Sequence, residues 1–282
     1  MRNLPGYSSF LAADGLKINI REWGAEEGVA CILLHGLADG SFVWNDFAEK
    51  LSSYCHVLAL DLRGHGDSDR DLQKNYTLEA YIADVESMVG RLALRKYILI
   101  GHSLGGDIAA KVISRRPEGI IGAVFVDAGP SPDDGVRLHL HNQIIEGHKT
   151  YESIEAYVKW LSARRFLAAP EVLEQLAQNS LRRDGTGYQP KFDVEVAGIL
   201  LEDDDDSWWW LTLEKFKIPI LIVRGEGSAV LSRRIADRMV TSLRNGQTST
   251  VKGAGHSVMD DNPAGFSEAV MPFLLSLLGR VV

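Results

Sequence analysis

Apolar residues fall along this chain in two rhythms. Residues 16–23 alternate apolar and polar positions, as a half-buried strand does. Short solid apolar runs at 30–34, 57–60, 97–100, 123–126 and 220–223 match strands covered on both faces, with a further strand at 249–251. Between them the spacing turns helical. Over 77–92, Leu78, Tyr81, Ile82, Val85, Met88, Val89 and Leu92 share one face, and Thr77 suits the N-cap. Similar spacing predicts helices over 41–51, 103–116 (stopped by Pro117), 232–242 and 263–278, the last turning Phe266, Val270, Phe273, Leu274 and Leu277 inward. Buried strands alternating with helices predict an α/β fold, a mostly parallel sheet with helices on both faces.

The rhythm breaks between 129 and 212. That stretch is polar and helix-rich, punctuated by Pro130, Pro132, Pro170 and Pro190. An insertion here would sit over the C-terminal ends of the strands, the edge where open α/β sheets bind ligands. The expected organisation is a core of 1–128 and 213–282 with a helical lid over 129–212. No internal repeat is visible.

Composition narrows the partners. The 282 residues are 45% hydrophobic and 24% charged, enough for a large core without disulfides or metal. A net charge of −8 argues against nucleic acid and anionic membrane as partners, leaving a small-molecule substrate as the expectation. Cys31 and Cys55 read as buried free thiols. The amino terminus has no apolar h-region and no segment reaches 18 apolar residues, so the cytosol is the expected setting. Oligomeric state is not readable.

The chemistry gathers at a few motifs. Gly101-His102-Ser103-Leu104-Gly105 follows one predicted strand and opens a helix, the context a nucleophile elbow requires. A sharp turn there would push the Ser103 hydroxyl above the sheet at a helix N-terminus, where developing negative charge is favoured. In the same order along the chain come His35-Gly36-Leu37, the run 61–68 (DLRGHGDS), the elbow, and Gly253-Ala254-Gly255-His256. With these four segments the chain resembles the α/β-hydrolase superfamily, its serine-nucleophile branch, over nearly all its length. The resemblance implies an eight-stranded-type sheet, Ser103 as nucleophile, His256 as base, and the backbone N–H groups of Leu37 and Leu104 as oxyanion hole. It implies neither cofactor nor metal.

The remaining candidates are mostly structural. His35, His65 and His102 read as hydrogen-bonding struts, with His35 and Gly36 also at the edge of the expected pocket. Asp67 and Ser68 read as ties within their loop. His139, His141 and His148 fit no zinc spacing. The acidic run from Glu202 to Asp206 lacks the turns of a calcium loop and reads as a solvated surface. Of Trp208, Trp209 and Trp210, one or two are expected in the core, and Trp209 is a candidate for the substrate pocket.

One part is missing from its usual place. Most relatives carry the triad acid three or four residues past the position of Gly225, where this chain has Ser228 and Ala229. Two carboxylates are candidates instead: Asp127, ending the apolar run 123–126, and Glu226, inside the turn itself. The leading expectation is a serine hydrolase of a carboxylic ester, lactone or thioester of a small, mostly apolar molecule. A hydrolase-derived receptor or non-hydrolytic biosynthetic enzyme, motivated by the missing aspartate, and a cofactor-free perhydrolase stand as alternatives.

Overall fold

The solid apolar runs form the middle of one sheet. In a computed structural model, residues 6–12, 14–115, 118–130, 134–202 and 207–280 are described. The chain runs β1 (Gly6–Leu11), β2 (Lys17–Trp23), β3 (Ala30–Leu34), α1 (Asn45–Leu51), β4 (His56–Leu60), α2 (Leu78–Arg91), β5 (Tyr97–His102), α3 (Leu104–Arg115) and β6 (Ile120–Val126). There follow α4 (Asp134–Gly147), α5 (Ile154–Ser162), α6 (Pro170–Ser180), a hairpin of β7 (Leu181–Asp184) and β8 (Gly187–Pro190), and α7 (Ser207–Leu213). The series closes with β9 (Ile220–Gly225), α8 (Arg233–Ser242), β10 (Gly246–Val251), α9 (Val258–Asp261) and α10 (Pro263–Leu277). The main sheet has eight strands in the order β1-β2-β4-β3-β5-β6-β9-β10. β1 and β2 are antiparallel to their neighbours, and the strands from β4 to β10 are parallel.

Period-two alternation splits each central strand between two cores. In β3, Ile32 and Leu34 face one side with residues of α2, α3 and α8. Cys31 and Leu33 face the other with residues of α1 and α10. Because both faces are covered, these strands read in sequence as unbroken apolar runs. The Cys31 and Cys55 sulfurs lie 3.3 Å apart as free thiols. The contact with Cys55, then burial, holds the Cys31 thiol well above its ordinary value.

Local signals placed two of the helix starts. The Thr77 side chain accepts from the Ala80 N–H and the Ser232 side chain from the Ile235 N–H, each satisfying a donor the first turn leaves unpaired. The helix expected over 41–51 begins instead as a 3-10 turn, Ser41–Trp44. The 129–212 stretch is helical in α4 to α7 but also contains the β7–β8 hairpin, whose strands of four residues are too short for a periodic signal. Residues 203–206 of the acidic run, and Pro117 and Pro132, lie outside the described residues. Among the described residues no helix is long and apolar enough to cross a membrane.

Candidate active site

Parallel strands align their C-terminal ends, so the turns after β3, β5, β6, β9 and β10 meet at one edge. Ser103 lies between β5 and α3 with φ of +51°, a left-handed conformation that a non-glycine residue adopts only under constraint. Its N–H donates to the Val126 carbonyl at 3.0 Å, and its carbonyl accepts from Gly106 N at 2.7 Å. Glycine is required on each side. A Cβ on Gly101 would stand 2.1 Å from the Gly105 carbonyl oxygen, and one on Gly105 2.2 Å from that of Leu34.

Three side chains line up there. His256 Nδ1 lies 2.8 Å from Asp127 Oδ2, and its Nε2 lies 3.1 Å from Ser103 Oγ. A carboxylate only accepts, so Nδ1 carries the hydrogen and Nε2 offers a lone pair to the serine hydroxyl. Asp127 is wholly buried at the end of β6 and also has positive φ, +48°. Its N–H donates to the Val223 carbonyl at 2.7 Å, and its Oδ1 accepts from Gly225 N at 3.0 Å. Ser228 Oγ donates to its Oδ2. Of the two carboxylates that the sequence left open, Asp127 is the one beside His256. Glu226 accepts instead from Gly253 N at 3.2 Å, on the exposed side of its turn.

The turn after β3 supplies main-chain donors. Ala38 has φ of +60°, and its N–H donates to His65 Nε2 at 3.1 Å. Among the described residues no group accepts from Leu37 N–H. Leu104 opens α3, so its N–H is one of those a helix cannot satisfy internally. Both residues border the space beside Ser103.

The histidines around this turn brace it. His35 donates from Nδ1 to the Gly36 carbonyl at 2.7 Å and accepts at Nε2 from Leu62 N at 2.9 Å. His65 donates from Nδ1 to the Arg63 carbonyl at 2.9 Å. His102 Nε2 donates to the main-chain carbonyl of His256 at 2.8 Å, steadying the turn that carries that ring. Burial, reinforced by His35, pushes His65 down to about 3, and burial, reinforced by His256, does the same to His102. Burial also lowers His35. All three are neutral struts at neutral pH. Behind them Ser68 Oγ donates to the Asp61 carbonyl at 2.6 Å, and the main-chain N–H of Asp67, rather than its side chain, donates to Asp61 Oδ2 at 3.0 Å.

A cavity of about 390 Å³ opens over Ser103 and His256, walled largely by Leu140 and Ile144 of α4, Tyr157 and Trp160 of α5, Phe192 and Val230. A smaller one of about 110 Å³ reaches Ser103 from the side of Leu104, Leu78 and Gly129. Two pocket expectations need correction. His35 is fully buried beneath the turn with both ring nitrogens engaged. Trp209 is buried edge-on against Phe125, with its indole N–H on Asp107 Oδ1 at 3.0 Å, because α7 packs on α3 below the cavity. The tryptophan on the cavity wall is Trp160. Gly36 does pack against Ser103: a Cβ there would meet His102 Nδ1 at 2.8 Å and Ser103 Cβ at 3.2 Å. His139 borders the larger cavity, His141 is bonded to its neighbour Asn142, and His148 packs on Phe192.

Sequence reasoning missed Arg165, on the turn after α5. It donates to Asp39 Oδ1 and to Asp260 Oδ2, each at 2.6 Å, tying the 129–212 stretch to the turn after Leu37 and to the helix after His256. No local pattern marks it, since its partners lie 126 and 95 residues away. Burial works against ionisation of Asp39, but Arg165 outweighs it and holds that carboxyl low. For Asp260 burial prevails over Arg165, helped by Asp39, Asp261 and Asp46, and pushes it up to about 8. The unfolded chain therefore loses the Asp260 proton near pH 4 and the folded one only near pH 8, so this group's contribution to stability falls as pH rises across that window. Asp260→Asn keeps an acceptor for Arg165 and removes the titration. Thermal melts from pH 5 to 8.5 should show its melting temperature gaining on wild type as pH rises, and a constant difference would refute the assignment.

A model of the alpha/beta hydrolase family matches residues 31–269. The chain is 25% identical to a 2-(acetamidomethylene)succinate hydrolase of Mesorhizobium japonicum over 259 residues, 92% of each chain. It is 28% identical to a Haemophilus influenzae protein provisionally named an esterase/lipase, over 86% of this chain and 82% of the other. A crystal structure of an E-2-(acetamidomethylene)succinate hydrolase superposes with a TM-score of 0.85 at 24% identity, over 95% of this chain and 99% of that one.

Proposed function

Since the chain belongs to the alpha/beta hydrolase family, we propose that it is a serine hydrolase that cleaves a carboxylic ester, lactone or thioester of a small, mostly apolar molecule through an acyl-enzyme. The observation that carries this reading is the continuous path from Ser103 Oγ through His256 to the buried Asp127 carboxylate, beside two main-chain N–H groups. In the first step Ser103 Oγ attacks the carbonyl carbon as its proton passes to His256 Nε2. The carbonyl oxygen gains charge and is met by the Leu37 and Leu104 N–H groups, donors of a kind each worth about 100- to 1,000-fold in rate. Asp127 stabilises the imidazolium, which then protonates the leaving alcohol or thiol. Water enters, gives a proton to His256 Nε2 and attacks the acyl carbon; the bond from that carbon to Ser103 Oγ breaks, the imidazolium returns its proton to Oγ, and the acid departs.

The same reading makes residues 129–212 a lid, since α4 and α5 supply much of the cavity wall. The wall favours an uncharged substrate. Its two arginines are committed, Arg164 to Glu146 at 3.0 Å and Arg165 to Asp39 and Asp260. The receptor reading rested on the absent aspartate after β9, and a carboxylate on His256 Nδ1 removes that ground.

A panel of p-nitrophenyl esters and acyl thioesters of increasing acyl length tests the proposal. Turnover should be strongest with short to medium acyl groups, as fits a cavity of about 390 Å³, and a fluorophosphonate should block it. Folded protein that turns over no member of the panel and takes up no fluorophosphonate overturns the reading.

A further inference from the structure

The position that left a gap in the motif is the busiest in its loop. Ser228 Oγ donates to Asp127 Oδ2 and accepts from the N–H groups of Val230 at 3.0 Å and Leu231 at 3.3 Å. Asp127 Oδ2 is also the oxygen that receives His256 Nδ1 at 2.8 Å. Its two lone pairs are thereby assigned, one to each donor. The loop that holds Ser228 is itself fastened. Gly227 N donates to the Ala254 carbonyl at 2.9 Å, and buried Arg224 clips both limbs, with Nε on the Leu231 carbonyl at 3.0 Å and Nη2 on that of Glu226 at 3.1 Å.

That arrangement has a mechanical meaning. Rotation about a carboxylate's last torsion has broad wells, so one hydrogen bond to Oδ1 leaves Oδ2 free to swing. Without the Ser228 hydroxyl, Oδ2 would be held only by the imidazole it has to orient, and acid and base would turn together. A wholly buried carboxylate also depends on its hydrogen bonds for the stability of its charge.

We propose that Ser228 is a positioning residue, whose hydroxyl fixes Asp127 Oδ2 against the 225–231 loop so that the carboxylate presents one lone pair to His256 Nδ1. This rests on the triad reading above, through which alone Ser228 acts. A serine takes the loop site and the carboxylate comes from β6, so that one acid is assembled from two strands.

Steady-state kinetics on a Ser103-dependent ester test it, using wild type, Ser228→Ala, Ser228→Thr, Asp127→Asn and the Asp127→Asn/Ser228→Ala double variant. Ser228→Ala should lower kcat about tenfold, the scale of one hydrogen bond to a charged group, with KM within about twofold of wild type. Ser228→Thr keeps the hydroxyl and should recover most of the loss. The double variant should lose no more than Asp127→Asn alone, because Ser228 works only through the carboxylate. Should Ser228→Ala not fold, Ser228→Cys, of similar size and a weak donor, carries the same comparison. Unchanged kcat in folded Ser228→Ala (or in Ser228→Cys where it stands in), or a fully additive loss in the double variant, overturns the inference and leaves the triad intact. Near-wild-type activity of Asp127→Asn instead brings down the triad reading, and Ser228 with it.

Discussion

Ser103→Ala should lower ester turnover about a millionfold, the scale seen when the nucleophile is removed from a group of residues that act as one unit. In the proposed mechanism Ser103 Oγ is the atom that bonds to the acyl carbon, and His256 Nε2 lies 3.1 Å from it. Without that oxygen the imidazole has no proton to take. The residual rate comes from the oxyanion donors and binding alone. The substitution removes one atom from a position whose backbone is already fixed at φ of +51°, so the fold should be kept. Fluorophosphonate labelling, followed by intact-mass measurement, gives the check. Wild type should gain one adduct and the variant none. An adduct on Ser103→Ala, or turnover within tenfold of wild type, would move the chemistry elsewhere.

Asp127→Asn should cost about 10,000-fold in kcat, and Glu226→Gln should stay within about twofold of wild type. The physical cause lies in the donors around Asp127. Gly225 N–H, Ser228 Oγ–H and His256 Nδ1–H all need an acceptor there. An asparagine offers one oxygen and one NH₂. If the NH₂ faces Gly225, donor meets donor. If it faces His256, the ring takes the tautomer with its hydrogen on Nε2 and loses the lone pair for Ser103. Glu226 spends its carboxylate on Gly253 N–H at the surface of the turn. Kinetics of the two variants side by side decide between them. Equal losses in both, or a larger loss in Glu226→Gln, would refute the assignment.

The locally encoded features were legible. The helical face of 77–92 became α2 between Leu78 and Arg91 with Thr77 at its cap, because periodicity and capping act within a few residues. Ser103 and His256 stood out because their turns are built from adjacent glycines, whose need is set by close backbone approach at the elbow and by positive φ at Gly253. The short β7–β8 hairpin had no such signal. Nor could a run of three tryptophans show which ring meets the core. That depended on α7 lying against α3, which buries Trp209 and leaves the cavity wall to Trp160.

By itself the sequence determined the α/β class, the order of the main core strands and helices, Ser103 and His256 as the proposed nucleophile and base, and the two candidate acids, since each is written in spacing or turn chemistry over a few residues. Only the tertiary structure decided which carboxylate meets His256. Asp127 and His256 are 129 residues apart, and they touch because β6 pairs with β9, β9 with β10, and Asp127 turns through a positive φ. It also decided what Ser228 does there. A hydroxyl in a turn has many partners open to it, and the strand order brings this one to the Asp127 carboxylate at the end of β6.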